Sequence, residues 1–134
     1  MQGLSVSTTR KLFACQLVAC QAIPESRSKY TYRGVDLTRA WVQGVIVATE
    51  ASPQRIALDD GTGIIWVHVE NVLKNTRSLS LPIGAYVMVI GPPTGREMLQ
   101  AHQVMPLSVG REALWWLEVA EYWHLLVPPV IELE

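Results

Sequence analysis

The spacing of apolar residues changes period twice along the chain. Leu12, Cys15, Ala19 and Ile23 recur every three to four positions, which predicts an amphipathic helix from Thr8 or Thr9, as N-cap, to about Ala22, stopped by Pro24. Residues 1–7 read as a loose tail. Residues 24–36, with Tyr30, Tyr32 and Gly34, read as a connecting loop. From Trp41 the period falls to two. Trp41–Thr49 is a β-rich run, and Gly44 inside it signals a bulge or sharp coil. Pro53 marks a turn, and Arg55–Asp59 puts Ile56 and Leu58 on one face of a second strand. Asp60-Gly61 is a hairpin turn signal. Thr62–Val69 then alternates Ile65, Val67 and Val69 against Ile64, Trp66 and His68. The polar stretch Glu70–Ser80 predicts a short helix and loop. Ala85–Gly91 and Arg96–Val104 are the fourth and fifth strands, with a turn at Pro92-Pro93 and Gly95 between them. From Gly110 to Leu126 the helical period returns, ended by Pro128-Pro129.

Five short strands, the first long and glycine-kinked, with an interruption between the third and fourth, predict an all-β class with flanking helices: a five-stranded OB-fold barrel with an N-terminal helix and a C-terminal helix. An SH3-like barrel is the alternative, and it lacks the long element between strands three and four. The expected organisation is a single domain. Residues 1–36 form the N-terminal helix and connecting loop packed on the barrel, and residues 37–134 form the barrel with its C-terminal helix.

Composition adds a reason to expect a partner. Hydrophobic residues make up 49% and charged residues 17% of the 134 positions, below the usual charged share of about 25%. So few charges cover a small monomer poorly. The net charge of −1 is unevenly placed. Arg10, Lys11, Arg27, Lys29, Arg33 and Arg39 lie in the first 40 residues, while no Lys or Arg follows Glu112. A protein that grips phosphates needs a basic surface, and only the N-terminal part could supply one. Cys15 and Cys20 fall on different faces of the predicted helix, which argues against a disulfide and for a reducing compartment. Leu12–Ile23 after Arg10-Lys11 has the outline of a short signal peptide, but Gln16 and Gln21 interrupt it and favour an amphipathic helix. No apolar run reaches the roughly 18–20 residues of a membrane span.

Candidate chemistry is sparse. His68, His102 and His124 are scattered, no Cys-x-x-Cys occurs, and Asp59-Asp60 read as turn residues, so neither a metal site nor a cofactor is expected. There is no phosphate-binding glycine loop and no serine in a nucleophile elbow, so no catalytic residues are assigned. Two binding surfaces remain. Arg55, Trp66 and His68 on strands two and three could touch nucleic acid weakly, unless Trp66 packs under a loop. The closing helix carries two apolar stripes, Trp115, Val119, Tyr122 and Leu126 beside Trp116, Ala120, Trp123 and Val127, with Leu117 and Leu125 adding to them. One stripe suffices to dock a helix on its own barrel; two suggest contact on two sides. The alternative is a helix tucked wholly into its own core. The expected partner interface is Leu114, Trp115, Trp116, Leu117, Val119, Tyr122, Trp123 and Leu126, with Trp and Tyr as favoured anchors.

Three runs resemble one family. Val35-Asp-Leu-Thr-Arg-Ala-Trp-Val-Gln-Gly44 resembles the barrel entry of the RecQ-mediated genome instability protein 2 family, and Gly84-Ala-Tyr-Val-Met-Val-Ile-Gly91 its fourth strand. Leu114-Trp-Trp-Leu-Glu-Val-Ala-Glu-Tyr122 looks like its closing helix, matching at Trp115, Leu117, Glu118 and Val119. The resemblance spans about residues 10–124; Trp116, Trp123 and the tail 125–134 depart from it. It implies a nuclear, non-catalytic subunit that binds DNA weakly or not at all. Such a subunit pairs with the C-terminal OB domain of RecQ-mediated genome instability protein 1, with C-terminal helices in the contact. Through that partner it joins topoisomerase III alpha and a RecQ (Bloom-type) helicase in double Holliday junction dissolution and crossover suppression. The other reading is a stand-alone single-stranded DNA binder of the replication protein A or telomere-capping type, carried by Trp41, Trp66 and the basic stretch 10–39.

Overall fold

A computed structural model describes residues 9–22, 30–95 and 97–127. The expected tail 1–7, the Thr8 cap, Ile23, the Pro24 stop, Arg96 and the Pro128-Pro129 end lie outside the described residues. The longest strand, β5 (Arg39–Ala51), is the spine of the sheet. It pairs antiparallel with β6 (Gln54–Asp59) on one side and β8 (Tyr86–Gly91) on the other. β7 (Ile64–His68) continues from β6, and the alternation of this strand holds: Ile65 and Val67 are buried while Ile64, Trp66 and His68 are not. The register shift of the spine falls between Ile46 and Ala48, not at Gly44. Gly44 serves instead as a close approach, since a Cβ there would lie 3.0 Å from the Asp59 carbonyl oxygen.

The expected fifth strand is two pieces. β10 (Met98–Gln100) runs parallel to β7, and β11 (Gln103–Pro106) runs antiparallel to β8. Only Ala101 and His102 separate them; Ala101 N–H donates to the His68 carbonyl and His102 N–H to the Ile90 carbonyl. The ladder is therefore not a continuous ring, but the chain itself joins the two ends of the sheet. Gly91 permits the crossing, because a Cβ there would stand 1.8 Å from the Gln100 carbonyl oxygen. β9 (Pro93–Gly95) folds back on β10. Between β7 and β8, α2 (Glu70–Asn75) buries Val72 against the barrel core. Five strand positions with a helix between the third and fourth make the OB topology and exclude the SH3-like alternative. Ile46, Ile56, Leu58, Ile65, Val67, Val87, Val89 and Leu99 fill the interior.

The N-terminal segment departs from expectation. Thr9 does not cap a helix: β1 (Thr9–Lys11) lies parallel on β5, pairing Lys11 with Trp41. Only α1 (Ala14–Val18) is helical, and β2 (Gln21–Ala22) follows. The buried residues are Leu12, Ala14, Leu17 and Cys20, while Cys15 and Ala19 face solvent. The expected connecting loop contains a hairpin, β3 (Tyr30–Tyr32) and β4 (Val35–Asp36), that pairs with β2. Its turn, Arg33-Gly34, has positive φ at both residues, 51° and 79°, as a two-residue primed turn requires. The last element, α3 (Arg111–Leu126), matches the predicted helix.

The start of α1 is tied to the β6–β7 turn by a buried carboxylate. Asp60 Oδ2 accepts from Ala14 N–H at 2.7 Å, and its Oδ1 accepts from Thr62 N–H and the Thr62 hydroxyl. Thr62 Oγ1 in turn accepts from Cys15 N–H at 3.1 Å. The first two amides of α1, which no helix can satisfy internally, are thus capped from 46 and 47 residues away. Asp60→Ala should lower the unfolding free energy by about 3 kcal/mol, since it orphans buried donors of charge-assisted bonds. Urea titration followed by far-UV circular dichroism measures it; a loss below about 1 kcal/mol contradicts this account.

Candidate functional site on the closing helix

One face of α3 is consumed by the chain's own barrel. Trp115 is 1% exposed and lies on Trp41, ring centroids 5.4 Å apart. Val119 is fully buried. Trp123 is buried edge-on to Tyr32 at 5.2 Å and donates its indole N–H to the Lys11 carbonyl. Tyr122 is half-buried; its hydroxyl accepts from Arg10 Nη1 at 3.2 Å. Beneath this face, Gln43 and Tyr86 bond to each other in the interior. Burial, and next the Glu112 carboxylate, pushes the Tyr86 phenol up well above its ordinary range, so it stays protonated. Trp115 and Val119 of one predicted stripe and Trp123 of the other, all expected at a partner interface, are instead buried against the chain's own barrel.

The residues that remain in water are different ones. Leu117 is 70% exposed, Leu125 71% and Leu114 54%, with Leu126 partly covered. Leu114, Leu117 and Leu126 were expected at an interface, and Leu125 joins them. Trp116 is shared. Its indole N–H donates to the Asp60 carbonyl at 3.1 Å and its ring meets Phe13 edge-on, yet 44% of it is exposed. It rests on Gly61, whose φ is 90° and where a Cβ would stand 2.5 Å from the ring. With Glu112, Ala113 and Leu117, Trp116 lines an open, mostly apolar hollow of about 500 Å³. Leucines this exposed on one helix make the outer face a candidate contact surface.

The face of β6 and β7 brings together the other three predicted residues. Arg55 stands opposite His68 in register and stacks over Trp66, 4.6 Å from the ring centroid. Both Trp66 and His68 are half-exposed. Glu50, which sequence reasoning missed, pairs across from Arg55 in the β5–β6 ladder and holds its guanidinium at 2.6 Å. The face thus presents a cation already neutralised and a ring already covered on one side. Among the described residues, no three His, Cys, Asp or Glu side chains gather as a metal site.

The protein-family model described as RecQ-mediated genome instability protein 2 matches residues 8–123. Among curated proteins, no sequence matches. Solved structures share the fold. A chain of the S. pombe Stn1–Ten1 complex aligns with a TM-score of 0.72 at 19% identity, covering 87% of this chain and 92% of that one. A chain of a replication protein A heterotrimer bound to single-stranded DNA aligns with a TM-score of 0.72 at 19% identity, over 91% of this chain and 99% of that one. A chain of yeast replication protein A bound to single-stranded DNA gives 0.68 at 20% identity, over 98% and 100%. These are OB-fold proteins.

The two faces of α3 should separate in a stability measurement. Trp115→Ala is expected to cost about 3–5 kcal/mol of folding stability through the cavity it leaves. Leu117→Ala should stay within about 0.5 kcal/mol of the parent. Thermal unfolding by circular dichroism compares them, and equal effects would refute the assignment of inner and outer faces.

Proposed function

The chain belongs to the RecQ-mediated genome instability protein 2 family, and from that premise we propose that it is a non-catalytic OB-fold subunit that pairs with the C-terminal OB domain of RecQ-mediated genome instability protein 1. The observation that carries this reading is the outer face of α3, where Leu114, Leu117 and Leu125 are more than half exposed among the described residues. A helix already anchored by Trp115, Val119 and Trp123 is a rigid platform, so little order is lost when a second surface docks on it. Two of the fold's structural neighbours are chains of assemblies, a Stn1–Ten1 complex and a replication protein A heterotrimer, which supports a subunit role. In the proposed setting the pair works in the nucleus. It joins topoisomerase III alpha to a RecQ (Bloom-type) helicase and supports double Holliday junction dissolution, crossover suppression and genome stability.

A single-strand-binding role has one observation in its favour, the stacking residue Trp66 on the β6–β7 face beside Arg55 and His68. The same face argues against strong binding. Phosphate binding gains from releasing counterions around free cations, and Arg55 already has Glu50 as its partner.

Two outcomes test the proposal. Leu117→Asp should weaken binding to the sister protein's C-terminal OB domain by at least about thirtyfold, the size of an interface hot spot, while leaving the circular dichroism spectrum unchanged. Unaltered affinity in calorimetry would remove α3 from the interface. For the groove, fluorescence titration with a single-stranded oligonucleotide at physiological salt should give a Kd weaker than about 1 μM. Tighter binding with a steep salt slope would favour the single-strand reading.

A further inference from the structure

The outer face of α3 is acidic at its centre and apolar at its ends. At about 100° per residue, Leu114, Glu118, Glu121 and Leu125 fall within one strip of about 60°, with Leu117 beside it. All five are exposed. Among the described residues the ion pairs are Glu50 with Arg55 and Glu70 with Lys74, so Glu118 and Glu121 pair with nothing. His124 lies one turn beyond Glu121, and Arg111 lies two turns before Glu118. Two like charges about 4.5 Å apart along the axis are a small cost in a free helix.

This pattern chooses between occupants. Consider a second copy laid antiparallel on the first, about an axis midway along the strip. Leu114 would meet Leu125 of the copy at both ends, so the apolar parts are self-complementary. Glu118 would meet Glu121 of the copy, twice, and four carboxylates would converge as the interface lost its water. The cost of like charges so placed is large compared with what a few leucines return. The charges thus oppose pairing of this face with a copy of the chain.

We infer that the occupant is an amphipathic helix of a different chain, apolar at both ends of the contact and carrying two Lys or Arg one turn apart between them, which meet Glu118 and Glu121. This inference rests on the proposed pairing through α3 and specifies the chemistry of the partner's contacting helix. The cations serve selectivity, because they answer the charges that exclude self-association.

The test uses the full chain, its charge variants and the sister protein's C-terminal OB domain. The variant Glu118→Lys/Glu121→Lys should bind that domain at least about tenfold more weakly at low salt, with the difference shrinking as salt rises. If the domain binds this variant and the parent equally while rejecting Leu117→Asp, the charge inference is overturned and the pairing stands. If the domain does not bind the parent at all, the pairing fails, and self-association decides the inference. The single variant Glu118→Lys places a lysine opposite Glu121 of the copy at both contacts. It should dimerise in sedimentation velocity at concentrations where the parent is monomeric. A monomeric variant, or a dimeric parent, then overturns the inference.

Discussion

A carboxylate 4% exposed must be answered on every side, because an ion in the interior is costly until its lone pairs are filled. Asp60 is answered by three donors from two segments: Ala14 N–H, Thr62 N–H and the Thr62 hydroxyl. Its carbonyl accepts from the Trp116 indole. One residue in a hairpin turn therefore fixes where α1 starts, how the β6–β7 turn closes and how α3 enters its seat. Gly61 completes the arrangement, since its bare Cα lets the Trp116 ring settle on the turn. The N-terminal segment, the barrel and the closing helix meet at this point.

The consequence reaches the functional surface. The Trp116 indole on the turn and the Trp123 indole on the Lys11 carbonyl are two points that orient α3 about its own axis. Trp115 is then driven onto Trp41 and Val119 into the core. The same constraint turns Leu114, Leu117 and Leu125 outward. Burial of Trp115, Val119 and Trp123 holds the helix to the barrel, and the two indole hydrogen bonds fix the direction in which it is held.

That is also where sequence reading stopped. Alternation along β6 and β7, the turn at Asp60-Gly61 and the length of α3 were legible because each is set by neighbouring residues. Which members of the two stripes turn inward was not, because Trp115 and Val119 of one and Trp123 of the other are placed by distant contacts, with Trp41 74 positions from Trp115 and Asp60 56 from Trp116. The segment 9–22 misled for a related reason. Leu12, Cys15 and Ala19 fit one helical face and the residues that are buried, Leu12, Ala14, Leu17 and Cys20, do not, because pairing with β5 outweighs local preference. The β3–β4 hairpin did carry a signal, Gly34 between Tyr30-Thr-Tyr32 and Val35. The partner of Arg55 depended on register: Glu50 stands opposite it only because the β5–β6 turn and ladder place them so.

Magnitudes decide how the helix can work. Burying a leucine fully returns about 1.5–3 kcal/mol, and the three outer leucines are already partly covered, so they supply on the order of 5 kcal/mol. Association costs about that much or more before any gain appears. Leucines alone would give a contact too weak to define a subunit. The remainder must come from the exposed part of Trp116 and the hollow beside it, and from charge. Charge contributes little to affinity at an open rim but much to choice of partner. By the same reckoning the β6–β7 face is limited less by the strength of its ion pair, worth about 0.2–1 kcal/mol when exposed, than by having no uncommitted cation to offer there. A nucleic acid would have to displace Glu50 for one phosphate contact. In the proposed pairing, a helix with matching cations on α3 would displace only water, which is why the outer face of α3 suits a docked helix better than the β6–β7 face suits a nucleic acid.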